Sequence, residues 1–315
     1  MKRILIALAL LLAVQAADAQ VKSPEAAKKA VLAAEEAAQN PKKNTKVATW
    51  LKLASSYMDA YDAPVGNILV NSPRVQLQMM MGNEQPAPVE DVVVDGAPFK
   101  KEVYANKNLY FDGTDVLRIV EVTVPVFEDP LANALEAYAK AYEVDVKKSK
   151  EKDIKTGIQS IQQKYFIDGM NQYSLGDYKK AGELLGKAAK ASETAPNSVV
   201  DTTSLYNAGY IYWASKDFET AKTYFERCLA ENYFYENGEV YAKLGDVYFN
   251  LGDKPKGVET LEAGFVKFPQ SQSILIGLIN YYIESGENTD RLFELIGEAK
   301  KNEPNNVSLY YVEGN

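Results

Sequence analysis

Histidine is absent from this chain of 315 residues, and cysteine occurs once. Without an imidazole there is no Ser–His or Cys–His nucleophile and no histidine-ligated metal. The lone thiol, Cys228, has no partner for an internal disulfide. Basic charge is scarce too: 35 Lys and Arg stand against 43 Asp and Glu, a net of -8. From Glu231 to Asn315 the imbalance grows to 14 acidic and 7 basic residues. Binding to a phosphate backbone is carried largely by clustered positive charge, so nucleic acid and anionic lipid surfaces are poor partners. Gly-rich phosphate loops and Asp-x-Asp-x-Asp-Gly calcium loops do not occur. Carboxylates are plentiful, but nothing marks a pair as catalytic. Neither an enzyme nor a cofactor nor a metal site is expected.

Long apolar runs are equally rare. The only one is Ile4 to Val14, 11 residues, and spanning a bilayer takes about 20. Met1-Lys2-Arg3 precedes it and Ala17-Asp18-Ala19 follows. A positive start, a short apolar stretch and small residues form a secretory signal, with cleavage expected between Ala19 and Gln20. No Cys follows that point, which excludes a bacterial lipid anchor. The mature chain is expected to be exported, without membrane insertion.

The remainder is repetitive. Leu175-Gly176-Asp177-Tyr178, Ser215-Lys216-Asp217-Phe218, Leu251-Gly252-Asp253-Lys254 and Ser285-Gly286-Glu287-Asn288 align, with acidic residues at intervals of 40, 36 and 34. Eight residues before the first three lie Gly169, Gly209 and Gly245. Four after come Ala181, Ala221 and Gly257, then Leu185, Phe225 and Leu261, then Ala188, Cys228 and Gly264. Small residues let two antiparallel helices approach, and large ones fill the space between pairs. Glycine closes a first helix in the left-handed conformation, and aspartate caps a second by accepting from its free N–H groups. Each pair leaves an apolar face that only the next pair covers, so the units stack.

This pattern resembles the tetratricopeptide repeat, a helix-turn-helix unit of 34 residues. The resemblance implies an all-α solenoid, a right-handed superhelix. It divides the chain into a signal peptide (1–19), a leading helix (20–43), a first repeat (44–65 and 130–157) and further repeats (158–315). Trp50, Ala54 and Tyr57 mark the first repeat's opening helix, and Ala134, Tyr138 and Ala141 its second. The unit from Gln272 to Asn305 departs from the pattern, with Ile279 and Arg291 at small positions. Val307 to Asn315 reads as the start of another first helix, cut short.

An insertion (66–129) interrupts the first repeat. Seven of the 13 prolines fall between Pro64 and Pro130. Val120, Val122, Val124 and Val126 alternate with Glu121, Thr123 and Pro125, a period of two. Asp112-Gly113 before this run suggests a β-hairpin with Val103 to Phe111, and Asp95-Gly96 after Val92-Val93-Val94 suggests another strand. Ser72 to Met81 reads as a short helix ending at Gly82. The insertion is either an arm that binds a partner or a flap over the first end of the solenoid.

By resemblance, first helices line the concave face. That gives a groove of Phe166, Met170 and Tyr173; Tyr206, Asn207, Tyr210 and Trp213; Lys243, Asp246 and Phe249; and Asn280 and Glu284. Tyrosine and tryptophan concentrate in binding hot spots, while rings at helical spacing also pack between helices. A clamp for a C-terminal carboxylate, known in some tetratricopeptide co-chaperones, does not fit: Asn207 and Lys243 match it, but Phe166 and Met170 stand where Lys and Asn belong. Tyr233-Phe234-Tyr235 reads as packing on the following repeat, and Cys228 as buried and inert. The chain looks like the exported tetratricopeptide proteins of the Gram-negative periplasm. The expected partner is a protein or peptide with a basic segment. The alternative is a structural subunit of an envelope assembly.

Overall fold

The computed structural model describes residues 21–81, 84–286 and 288–302. The signal segment, Gly82, Glu287 and the Val307–Asn315 helix start lie outside them. Twelve α-helices and one four-stranded sheet make up the described residues.

Helix α1 (Pro24–Gln39) starts where the Ser23 hydroxyl accepts from the Ala26 N–H, with Pro24 in its first turn. Its stripe of Ala27, Val31, Ala34 and Ala38 is buried against α2 (Val47–Asp62). Helix α4 (Pro130–Val144) packs on the same α2 and completes its hairpin across the insertion. From there the helices run in antiparallel neighbours. These are α5 (Glu151–Ser174) with α6 (Tyr178–Glu193), α7 (Thr202–Ala214) with α8 (Phe218–Ala230), α9 (Glu239–Asn250) with α10 (Lys254–Lys267), and α11 (Gln272–Ser285) with α12 (Thr289–Asn302).

Within three pairs the turn is the same object. Asp177, Asp217 and Asp253 each accept from the N–H three residues on, at 3.0, 3.2 and 3.2 Å. Their own N–H groups donate back to the carbonyls of Gln172, Tyr212 and Tyr248 at 2.8 to 2.9 Å. This is the six-to-one closure of a Schellman motif, which needs a left-handed residue just before the aspartate. Gly176 and Gly252 supply it at φ 85° and 84°; Lys216 does so at 66° with a side chain attached. Close approach explains the other glycines. A Cβ on Gly209 would lie 2.9 Å from the Phe225 ring, and one on Gly245 would lie 2.6 Å from Leu261.

The last unit follows the plan with one residue added. Gly286 takes the left-handed position at φ 65°, but the cap is Asn288, whose side chain accepts from the Arg291 N–H at 3.3 Å. The extra residue shifts α12 by one. Its buried positions are Leu295, Ile296 and Ala299, and Ile296 and Ala299 fall where Leu261 and Gly264 stand in the previous unit. Arg291 therefore does not occupy a small packing position. It reaches across to α10, where it lies over the Phe265 ring and pairs with Glu262 at 2.5 Å.

The insertion holds more than a hairpin. Strands β1 (Val89–Val94), β2 (Ala97–Val103), β3 (Lys107–Phe111) and β4 (Leu117–Val122) form an antiparallel meander in chain order. Asp95-Gly96, both left-handed, turns β1 into β2. One face packs Leu109, Phe111 and Leu117 under Ile68 and Leu77 of the short helix α3 (Arg74–Met81). The other face carries Val94, Tyr110 and Ile119 and rests on Leu175, the residue that closes α5. Helix α2 is covered by α1 and α4.

Candidate partner-binding face

Helix α7 packs Tyr206 and Tyr212 on Phe225 and Tyr224 of α8 and carries Tyr210 and Trp213 elsewhere on its surface. Tyr210 and Trp213, one turn apart, stand with ring centroids 5.5 Å apart. Across the seam, α9 contributes Lys243 and Asp246, also one turn apart. The indole Nε1 of Trp213 donates to Asp246 Oδ2 at 2.5 Å, and the Lys243 ammonium sits 3.8 Å above the indole ring. Lys243 lies 6.0 Å from the Tyr210 centroid and 3.9 Å from Glu239. Glu239 in turn accepts from the Ser273 hydroxyl of α11. Trp213, Lys243, Asp246 and Glu239 therefore bracket α7, α9 and α11 together, and their polar groups are already engaged.

Tyr210 is different. It is half-buried, and its hydroxyl has no hydrogen-bond partner among the described residues. The hydroxyls of Tyr173, half-buried at the end of α5, and of Tyr178, exposed at the start of α6, also have no partner among the described residues, and the two rings lie 5.7 Å apart. Burial raises the Tyr173 phenol above its ordinary pKa, with Tyr210 and Asp95 adding to the shift. Burial, then Glu239 and Tyr178, raises that of Tyr210. The arrangement is an open strip of rings with free hydroxyls, able to stack on and hydrogen-bond to an extended chain.

Several expected groove residues do not belong to it. Tyr206 is 6% exposed, stacked on Tyr235 at 4.0 Å, with Phe225 and Tyr233 also against its ring. It is a core residue because the long turn after α8 folds back over it. Phe249 stacks on Tyr281 at 5.6 Å and covers the face of Gly257. Phe166 packs in the seams on both sides of α5, and Met170 beside Ala181 and Leu185. Asn207 donates to the Thr203 carbonyl of its own helix. Asn280 and Glu284 are exposed on α11. Tyr178 and Asp95 are the two members of the strip that spacing did not single out. Tyr178 directly follows a cap and Asp95 belongs to a turn, so neither occupies a first-helix position.

Of Tyr233-Phe234-Tyr235, only Phe234 stacks on the following repeat as expected, against Tyr241 at 5.7 Å, while Tyr233 and Tyr235 fold back on Tyr206 of the preceding pair. Cys228 is buried, its thiol pushed up to about 12 by desolvation, and inert at neutral pH. A separate cavity of about 350 Å³ lies between the start of α1 and the insertion, lined by Pro24, Pro64, Ile68, Met81 and Lys107. The Lys107 ammonium there is held by Glu84 at 3.1 Å. Among the described residues no three His, Cys, Asp or Glu side chains are grouped to hold a metal, and no helix is long and apolar enough to cross a membrane.

Residues 202–233, which comprise α7, α8 and the start of the following turn, match the family model of the tetratricopeptide repeat. Similar solved structures include YrrB, a TPR protein with an unusual peptide-binding site, at 19% identity over 59% of this chain and 85% of that one, TM-score 0.36. The yeast Sti1 TPR2AB domain in complex with pHSP90 is 16% identical over 59% and 93%, TM-score 0.32. BtubC from P. vanneervenii is 14% identical over 93% and 90%, TM-score 0.35. No curated protein matches the sequence.

Proposed function

We propose that this chain is an exported, non-catalytic scaffold of the tetratricopeptide type. Its helix pairs wind as a right-handed solenoid, and it holds a protein or peptide partner across Tyr173, Tyr178 and Tyr210. The observation that carries the reading is the state of those hydroxyls. Rings of this size are usually consumed by packing or by a hydrogen bond when they lie in a helical seam. Three neighbouring tyrosines left half-open and unbonded form a surface suited to a chain that brings its own backbone donors and acceptors. The signal segment supports a periplasmic site of action.

The test uses the full chain and its Tyr210→Ala variant to recover partners from the native envelope after crosslinking. Loss of the recovered partner in the variant, at unchanged helical circular dichroism, is the expected result. Equal recovery by both proteins rejects the strip. Trp213 is not the residue to remove, because it ties α7 to α9.

A second reading, a structural subunit of an envelope assembly, is favoured by the outer side of the insertion. Val75 and Met79 of α3 are 70% and 76% exposed, beside Leu69 and Val70. Apolar surface of this kind marks contact sites, and methionine adapts to varied partners. Concentration-dependent light scattering that disappears in Met79→Lys would favour this reading over the first.

A further inference from the structure

The strip does not stop at the helices. Its far end is closed by the insertion, from a residue 79 positions away in the chain. The Ser174 hydroxyl stands 3.5 Å from Asp95 Oδ2 at the tip of the β1–β2 hairpin. The tip is held in place from below. Val92 and Val94 of β1 and Phe99 of β2 share a cluster with Leu175, the closing residue of α5. Asp95 and Gly96, at φ 53° and 77°, form the tight two-residue turn that a twisted hairpin favours, so the tip is short and stiff.

Asp95 is the unpaired acid at this end, while Lys179 and Lys180 follow Tyr178 on α6. Asp95 is exposed and forms no ion pair among the described residues. The neighbouring acid Asp91 is neutralised by Lys100 at 2.7 Å, and Glu90 by Lys101 at 3.0 Å. The C-terminus of α5 lies beside this tip, with no basic residue in its last turn. Tyr173 lies close enough to this carboxylate for its phenol to feel the charge, and the Tyr178 ring stands 5.7 Å from that of Tyr173. An unpaired carboxylate beside aromatic rings favours a cation. At the opposite end, Lys243 and Asp246 are occupied with Trp213, so they do not provide that position.

We propose that the β1–β2 hairpin is the end wall of the groove, and that this end takes a Lys or Arg side chain from an extended partner segment. The proposal rests on the strip being the partner surface. It assigns the insertion the role of the arm, with the partner's cation between Asp95 and the Tyr173–Tyr178 pair and its remaining length over Tyr210.

A phage-displayed random peptide library, selected on the full chain, tests it. Selected peptides are synthesised and their affinities measured against the unmodified chain, Asp95→Lys and Tyr210→Ala. The expected result is a Lys or Arg at one fixed position. Affinity falls about tenfold or more in Asp95→Lys, and replacing the basic residue by Glu restores binding to that variant. Peptides without a fixed basic residue, or with equal affinity for Asp95→Lys, overturn the proposal. If Tyr210→Ala weakens those same peptides, the strip stands and only the hairpin wall is wrong. If neither substitution matters, both the wall and the strip fail. Unchanged circular dichroism of Asp95→Lys, whose side chain is exposed, guards against misfolding.

Discussion

In the seams of this molecule four tyrosine hydroxyls end on carboxylates: Tyr57 on Glu35, Tyr61 on Asp168, Tyr165 on Asp129 and Tyr248 on Glu226. In the strip from Tyr173 to Tyr210 they have no partner among the described residues. The two regions use the same side chain at the same helical spacing. A phenol withdrawn from water loses free energy unless its hydroxyl is paired, so the seam rings carry an acid to meet them. The strip rings have no such acid and remain partly in water. The lesson is that a hydroxyl on a carboxylate marks a tyrosine that holds the fold, while an unpaired one marks an available ring only where the ring is also open to water, since Tyr138 and Tyr206 are buried with no hydroxyl partner among the described residues.

The largest break in this contrast comes from the seam side. Phe225 is fully buried over Gly209. Phe225→Ala should cost about 3–5 kcal/mol in chemical denaturation. Gly209→Ala drives a Cβ to 2.9 Å from that same ring and should cost about 1–3 kcal/mol. A smaller or absent loss in either variant means the α7–α8 seam is looser than its geometry implies.

Tyr61→Phe sharpens the comparison through pH. Asp168 accepts from Tyr61 at 2.9 Å, and its pKa is raised to about 6 by burial. Between its ordinary value of 3.8 and about 6, the folded state binds this proton more tightly than the unfolded chain does. The stabilisation from Asp168 is therefore full below about pH 4 and is lost as pH rises through 6. Removing the Tyr61 hydroxyl takes away a bond that favours the charged carboxylate. The midpoint should move further up in a carboxyl NMR titration, and stability above pH 6 should fall by about 1–3 kcal/mol. A midpoint that stays or moves down would show that the hydroxyl does not hold the carboxylate.

The smallest effects belong to the strip. Tyr173→Phe and Tyr210→Phe remove hydroxyls that bond to nothing in the described residues, so denaturation should change by no more than about 0.5 kcal/mol. A loss of the size seen for Tyr61→Phe would return these residues to the seam class.

The helical plan was legible in the sequence wherever chemistry is local. Asp177, Asp217 and Asp253 cap as their spacing implies, and the Asp95-Gly96 and Asp112-Gly113 dipeptides turn strands. What escaped depends on distant parts of the chain. Ala97–Val103 lacks a clean alternation because Lys101 shares a half-buried face with Phe99 and Val103 while the most buried residue, the charged Glu102, lies on the other face, so β2 was not visible. The shift in α12 arises from one added residue between Gly286 and Asn288, which a comparison of acidic residues alone matches to the wrong position. Tyr206 and Tyr210 are indistinguishable by period. Only the return of Tyr233 and Tyr235 over the first makes it core. Asp95 joins the strip through a contact 79 residues long, and no local pattern records that.

The most direct test of the account measures affinity and melting together for Tyr210→Ala in the full chain, using peptides selected on the unmodified protein. The account predicts a loss of about tenfold or more in affinity with the melting temperature unchanged within about 2 °C. Unchanged affinity with a lowered melting temperature would contradict it, because Tyr210 would then be one more ring of the seams.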